Sequence, residues 1–380
     1  MAKTDFKKYD IPLMVIFAAL VLFGLLMVLS SSYIMAGIKR DNNFWFFSKQ
    51  IIWTIAGTGA MYFTAFKIPY SFYQRYSKVF YCAILAALLI VLLVGPVWSG
   101  VKRWFDLGAF AVQPSEFAKL AMVFLMADFI ARKENQLSML KSIIAVGVYI
   151  TPIVVAIALE PDFGSNVLII LICGLMLFCT NIKISKAELI TIFSLIFVVV
   201  ALEIFRKNYR VGRIVSYFKG IFDLDSVLVS SDRMVYQLKL SLYALGSGGP
   251  FFGKGLGNSD MKLMYLPEAH SDFIYPIIGE EFGFIGAIFV IGAFAFIFAK
   301  GIKISQNSPD VFAKYLALGI TLVMTLGAMM NIGVSLGILP TKGLALPFIS
   351  AGGTSLLMNM AAAGILVNLS QYAKAKGVNR

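Results

Sequence analysis

Apolar stretches long enough to cross a lipid bilayer recur from one end of this 380-residue chain to the other. A helix needs roughly 20 apolar residues to cross the hydrocarbon core. About ten segments qualify on that measure: residues 11–34, 45–66, 77–97, 114–131, 143–160, 162–181, 188–206, 272–299, 312–336 and 347–370. Within lipid every backbone N–H and C=O must find a partner, so only helices or a closed barrel can span it. Runs this long are helical, and the expected fold is an all-α polytopic membrane bundle. Charged residues make up only 14% of the chain and hydrophobic ones 59%, against roughly 25% charged in soluble domains. One bundle over residues 1–380 is therefore expected in place of several soluble domains.

A net charge of +13 would suit nucleic acid, but the basic residues gather at the ends of apolar segments, which is a topology signal. No nucleic-acid partner is expected. Lys67, Arg75, Arg132, Lys133, Lys300 and Lys303 mark one set of connections, whereas the short opposite connections carry only Lys39, Arg40, Lys102, Arg103 and Lys342. That bias predicts both termini on the cytoplasmic side, with the long segment 207–271 outside, between the seventh and eighth spans. Within it, 236–245 reads as an interfacial helix or a short strand, followed by six glycines between 246 and 257. A long connection of this kind is usually functional. Cys82, Cys173 and Cys179 lie in apolar segments, so buried thiols are expected and no disulfide framework. The first stretch lacks a small-residue cleavage site and reads as a retained span.

The seam Tyr265-Leu-Pro-Glu-Ala-His-Ser-Asp272 holds two carboxylates and the sole histidine, His270, where polar chain meets an apolar helix. An acid at that depth is costly unless it is used. Asp272 suits a helix start, where free N–H groups and the dipole favour an anion, so a plain N-cap is the competing reading. Arg103 beside Trp104 suits a phosphate at headgroup level, or equally a snorkelling anchor. Pro114 and Ser115 look like a helix start that sets Glu116 and Lys119 on one face, as a structural pair or as site groups. Glu160-Pro161-Asp162 puts two acids in a tight turn, which turn chemistry alone does not explain. Arg210 and Arg213 belong to a basic run that suits either a solvated face or a pyrophosphate. The polar, glycine-rich stretch 339–355 is tolerated at membrane depth only against protein or a cavity, so Lys342 and Ser350 could point inward. With one histidine and no Gly-x-x-x-x-Gly-Lys-Ser/Thr loop, a His-rich metal centre and a nucleotide phosphate loop are excluded.

Taken in order, Arg103-Trp104, Gln113-Pro-Ser-Glu116 with Lys119, Pro161-Asp162-Phe-Gly164, Leu266-Pro-Glu-Ala-His-Ser-Asp272, Gly279-Glu-Glu281 and Leu346-Pro-Phe-Ile-Ser350 with Gly352-Gly353 make a specific set. It resembles the SEDS family (shape, elongation, division and sporulation proteins, including FtsW, RodA and SpoVE), on the FtsW/SpoVE side more than the RodA side. Glu160, Ala351 and Pro276 depart from the usual pattern, and Pro276 is expected to kink the eighth span. The resemblance implies a GT-C-like bundle and a peptidoglycan glycosyltransferase that polymerises lipid II, a disaccharide-pentapeptide on undecaprenyl pyrophosphate. It implies work at the outer face of the bacterial cytoplasmic membrane with a class B penicillin-binding protein transpeptidase and other divisome or elongasome membrane proteins.

Under that resemblance Asp272 carries the chemistry, as general base on the acceptor 4-hydroxyl. Arg103, Lys119, Arg210 and Arg213 are candidates to steady the leaving pyrophosphate. Trp104, Glu116, Asp162, Glu268, His270, Lys342 and Ser350 complete the candidate substrate-binding set. An α-linked phosphate becoming a β-linked sugar implies inversion, with no second carboxylate nucleophile. No tightly bound cofactor is expected; a divalent cation (Mg or Mn) stays open, because the spacing of Glu268, Asp272 and Asp162 does not define ligands. The rivals are a lipid II flippase, which also has intramembrane charges and broken helices, and a non-catalytic division scaffold.

Overall fold

The computed structural model describes residues 9–98, 100–108, 110–133, 139–180, 233–263, 265–339 and 343–378. The expected span 188–206 and the candidates Arg210, Arg213 and Lys342 lie outside the described residues. The chain begins with α1 (Ile11–Arg40), whose cap residue Asp10 accepts the Leu13 N–H and whose last turn carries Lys39 and Arg40 against the helix dipole. Next come α2 (Trp45–Phe66), the short α3 (Tyr70–Arg75) and α4 (Ser77–Val94). A small antiparallel hairpin of β1 (Phe105–Asp106) and β2 (Ala111–Val112) leads into α5 (Pro114–Lys133), α6 (Met139–Leu159) and α7 (Phe163–Phe178). Beyond the undescribed stretch lie α8 (Arg233–Ser247), α9 (Ile274–Gln306), α10 (Val311–Ser335) and α11 (Gly353–Val378).

Among the described residues, α1, α4, α9, α10 and the 353–373 part of α11 are long and apolar enough to cross a membrane, with α6 and α7 as shorter apolar helices. α2 is long but less apolar. α5 carries five charges, yet Lys119 bonds Glu116 at 2.6 Å and Asp128 bonds Arg132 at 2.8 Å, and Lys119 and Asp128 are buried. Charge on that span is thus turned toward protein, as lipid requires. The centre of the bundle is α10, buried along nearly its whole length among α5, α7, α8, α9 and α11. Small residues allow close approach: a Cβ added at Gly364 of α11 would sit 2.0 Å from Thr64 Oγ1 of α2.

Of the two readings of 236–245 the helix holds, whereas the expectation of three buried thiols needs correction. The 236–245 stretch is helical, and α8 docks on the bundle through buried Ser241, whose Oγ donates to the Ser335 carbonyl at 2.7 Å. Of the three cysteines only Cys173 is buried; Cys82 and Cys179 are exposed free thiols. Apolar neighbours in sequence do not bury a residue whose helix face points to lipid.

The break in α9 falls at Gly283 (φ 64, ψ −157), not at Pro276. Pro276 occupies the first turn, where its missing N–H is not needed. At Gly283 the helix opens and chain from the 248–262 stretch enters. Lys254 and Gly255 donate N–H to the carbonyls of Glu280 and Glu281, each at 2.9 Å, and the Phe251 carbonyl accepts from Ile285 at 3.2 Å. Only glycine fits, since a Cβ at 283 would meet the Gly253 nitrogen and the Phe251 oxygen at 2.5 Å.

Side chains lock the same joint. Glu280 accepts from Lys254 at 2.7 Å and from the Asp260 N–H at 3.1 Å, and it also bonds Ser259. Glu281 accepts from Ser30 of α1 at 2.6 Å and from Lys262 at 2.9 Å. The Glu281 and Lys262 side chains are 0% and 5% exposed, so neither charge is hydrated if its partner is lost. Glu281→Ala is therefore expected to destabilise the fold by about 3–5 kcal/mol. Thermal unfolding of the detergent-solubilised protein reads this directly, and an unchanged midpoint would refute it.

Candidate active site

The described parts of five connections meet at one end of the bundle: Arg103 to Gln113, the 160–162 turn, 265–273, 343–352 and the α1–α2 corner. Asp272 lies in the turn that precedes α9. The helix starts at Ile274 and its cap position is Phe273, which makes no side-chain cap bond. The N-cap explanation of Asp272 is thereby removed.

The residue is held by its backbone. Asn331 of α10 donates Nδ2 to the Asp272 carbonyl at 2.8 Å and to the Leu344 carbonyl at 2.6 Å. Ser350 Oγ donates to the Ser271 carbonyl at 2.6 Å and accepts the Leu346 N–H at 2.8 Å. The Ala351 N–H donates to the His270 carbonyl at 2.9 Å, and Gln50 of α2 donates to the Ser350 carbonyl at 3.2 Å. The seam 270–272 and the irregular strand 343–352 are thus stitched together, which satisfies backbone groups that would otherwise be orphaned. The half-buried carboxylate of Asp272 lies over Gly343: a Cβ there would come within 2.6 Å of Oδ2.

The neighbours set its acidity. Burial, then the negative charges of Glu268 and Asp162, push the Asp272 carboxyl up to about 7, and Arg103 pulls the other way. Burial also holds His270 below the usual histidine range, against the pull of the Glu268 charge. That ring packs 4.4 Å from Phe46, and its buried Nδ1 has no partner among the described residues. Glu268, exposed and in the left-handed region at φ 55, accepts from Ser271 Oγ at 3.0 Å.

Arg103 donates to the carbonyls of Glu160 and Pro161. It is tied to the turn that carries Asp162. Asp162 itself caps α7, accepting from the Ser165 N–H at 3.1 Å and Oγ at 2.8 Å, and also from Ser115 and Gln113. Trp104 packs on Trp98 with ring centroids 5.6 Å apart. The Glu116–Lys119 pair lines a small, mostly apolar cavity that Leu344 and Ala345 also line. Structure thus brings Arg103, Asp162, Glu268, His270 and Ser350 around Asp272, leaves Trp104 beside Arg103, and sets Glu116 and Lys119 at that cavity.

Sequence reasoning missed Asn331, Gln50, Gly343 and Phe46. Asn331 had a signal, a lone amide in an apolar span. Glu160, one of two acids that turn chemistry alone does not explain, is absent from the expected site set. It is fully buried, neither carboxylate oxygen has a partner among the described residues, and burial with the nearby Asp162 charge pushes it up to about 8. No group of three His, Cys, Asp or Glu residues converges as cation ligands among the described residues. With Asp162 already bonded to Ser115, Gln113 and Ser165, the trio Glu268, Asp272 and Asp162 does not fit a cation site, and no step below runs through one.

The fold and this site define a multi-pass helical membrane protein with a buffered acid at one end of its bundle. A sequence profile described as "Cell cycle protein", covering FtsW, RodA and SpoVE, matches residues 11–375. Stage V sporulation protein E of Bacillus subtilis (strain 168) is 35% identical over 370 residues, spanning 96% of this chain and 98% of that protein. A probable peptidoglycan glycosyltransferase FtsW of Trichlorobacter lovleyi is 35% identical over 97% of this chain and 94% of its own. Among solved structures, a chain from a peptidoglycan synthase complex that coordinates polymerization and crosslinking superposes with a TM-score of 0.77 at 21% identity, over 96% of this chain and 98% of that one. The rod shape determining protein RodA of Thermus thermophilus superposes at 0.68 with 21% identity, over 95% and 96% of the two chains. The chain belongs to the FtsW/RodA/SpoVE family of cell cycle proteins.

Proposed function

We propose that this chain is a peptidoglycan glycosyltransferase that polymerises lipid II at the outer face of the cytoplasmic membrane, with both termini inside. The observation that carries the reading is the Asp272 carboxyl, held over Gly343 by bonds on both sides and buffered to about 7. A general base works best when its pKa lies near the working pH. Asp272 takes the proton of the acceptor 4-hydroxyl as that oxygen attacks the anomeric carbon of the donor. The anomeric C–O bond breaks with inversion, and the pyrophosphate departs with its electron pair on the carrier lipid. Arg103, fixed at the same end of the bundle, offers positive charge toward that leaving group. Lys119, paired with Glu116, acts from the cavity that the pair lines; Arg210, Arg213 and Lys342 stay in the set as residues of the same expected face. His270, Ser350 and Glu268 shape the turn that presents Asp272.

Relatives named as peptidoglycan glycosyltransferases support the chemistry, and the superposed synthase complex supports a crosslinking partner, which we take to be a class B penicillin-binding protein. The test uses the purified protein with lipid II in detergent, where no gradient exists. A polymerase makes glycan there; a flippase or a scaffold makes none.

The reaction should also track the ionisation of Asp272. The base is active only when deprotonated, so kcat/KM is expected to fall as pH drops through about 7. Glu268→Gln removes the neighbouring negative charge that raises the pKa, so the rising limb should move to lower pH. A limb that stays in place would exclude Glu268 from this role.

A further inference from the structure

Across the α1–α2 corner, opposite the hairpin, lies a cleft that the functional reading above does not use. Arg40, Trp45, Lys49, Trp98, Asp106 and Phe110 line it, and its cavity volume is about 640 Å³. That is space for a saccharide-sized ligand. Two cations share one indole: the Arg40 guanidinium lies 4.6 Å and the Lys49 ammonium 4.0 Å from the Trp45 ring centroid. Among the described residues neither cation is ion-paired with a carboxylate. The Asp106 carboxylate is turned instead to the Gly108 N–H at 2.9 Å. Two unpaired cations held together repel each other, and an anionic group between them removes that repulsion.

The walls are aromatic. Trp98 is exposed and rests on Trp104, while Phe110 packs against Trp53 at 5.3 Å. The apolar C–H face of a pyranose packs on such rings, and acidic groups hung from the sugar would reach the cations. A lipid phosphate would need the cations but not the aromatic walls. The cleft also adjoins the reacting centre. Trp45 meets Phe46 edge-on at 4.6 Å, Phe46 packs 4.4 Å from His270, and His270 stands two residues before Asp272.

We propose that this cleft is a saccharide subsite for the elongating glycan, with Trp98 and Phe110 against pyranose faces and Arg40 and Lys49, seated on the Trp45 ring, toward the carboxylates of the attached peptides. The inference rests on the polymerase reading, deepening it to say where the polymer is held between additions. Its consequence is processivity: loosening the cleft lets the chain escape early, while the chemistry at Asp272 continues.

Two measurements on the full-length protein test it. In the first, Trp45→Ala and the pair Arg40→Gln with Lys49→Gln are given purified lipid II, and product length is read on a gel. The mean chain length should shorten several-fold, with the first disaccharide addition much less affected. Chains of wild-type length, or loss of the first addition in a variant that still unfolds at the wild-type temperature, would overturn the proposal. In the second, Asp272→Asn protein is titrated with a soluble, lipid-free peptidoglycan tetrasaccharide-peptide. Adding Arg40→Gln and Lys49→Gln should weaken binding about tenfold, the loss of one good contact. Equal binding would overturn the proposal, as would a chain-length defect that depends only on phosphatidylglycerol in the vesicles, which would assign the cations to a lipid headgroup. Because binding is measured without turnover, the cleft is judged even if wild-type protein forms no glycan, the result that would sink the polymerase reading.

Discussion

Glycan formation from lipid II is expected to fall by about 10²–10⁴-fold in Asp272→Asn, the range for removing a positioned general base. Asparagine keeps the size of the side chain and leaves the backbone carbonyl that Asn331 holds. It loses only the ability to take a proton. Because burial and two neighbouring carboxylates disfavour the charged form of Asp272, the neutral amide should leave thermal stability equal or higher. That pairing of outcomes discriminates: a dead but well-folded variant supports the base, whereas a dead and unfolded one would point to a structural role. Full activity in the variant would end the mechanism. The Arg103→Ala variant provides a check with the opposite sign, since losing its positive charge should move the pH limb upward.

The second large effect is expected at a residue with no side chain. An added Cβ at Gly343 would lie 2.6 Å from Asp272 Oδ2, too close for any real contact. Gly343→Val must therefore push the carboxylate aside, and a misplacement of about 1 Å can cost on the order of 10²-fold in rate. Gly343 is exposed, so the valine meets open space elsewhere and the bundle should stay folded. Activity assayed beside the unfolding temperature separates the two effects. A Gly343→Val enzyme as fast as wild type would mean that the carboxylate does not react from this position.

Much of the architecture was legible because lipid imposes a simple rule on length and polarity. Pro114 opens a helix, Glu116 and Lys119 pair three residues apart on one face, Asp162 closes a tight turn, and 343–352 is irregular where glycine and polar residues said it would be. What was hidden depends on residues far apart in sequence. Nothing local tells that Glu280 and Glu281 find their lysines 26 and 19 positions earlier, in another segment. Pro276 drew attention as a helix breaker, yet its first-turn position makes it harmless, and the break needed a glycine where another chain segment enters. Asp272 looked like a cap because helix starts and acids often coincide; one residue of extra turn, Phe273, detaches it from that role. Asn331 and Gln50 were readable only as lone polar groups in apolar spans, and their targets, backbone carbonyls on other elements, carry no sequence signal.

The joint at Gly283 has a further effect on motion. Lys254 and Gly255 act as grafted helical residues, since their amides complete the ladder that α9 leaves open. Peeling them away would strand two carbonyls in a place with little water, so this piece of connecting chain cannot swing as surface loops do. Its amides should exchange with deuterium as slowly as those of the apolar helix it completes, giving the Asp272 turn a rigid shoulder rather than a loose flap.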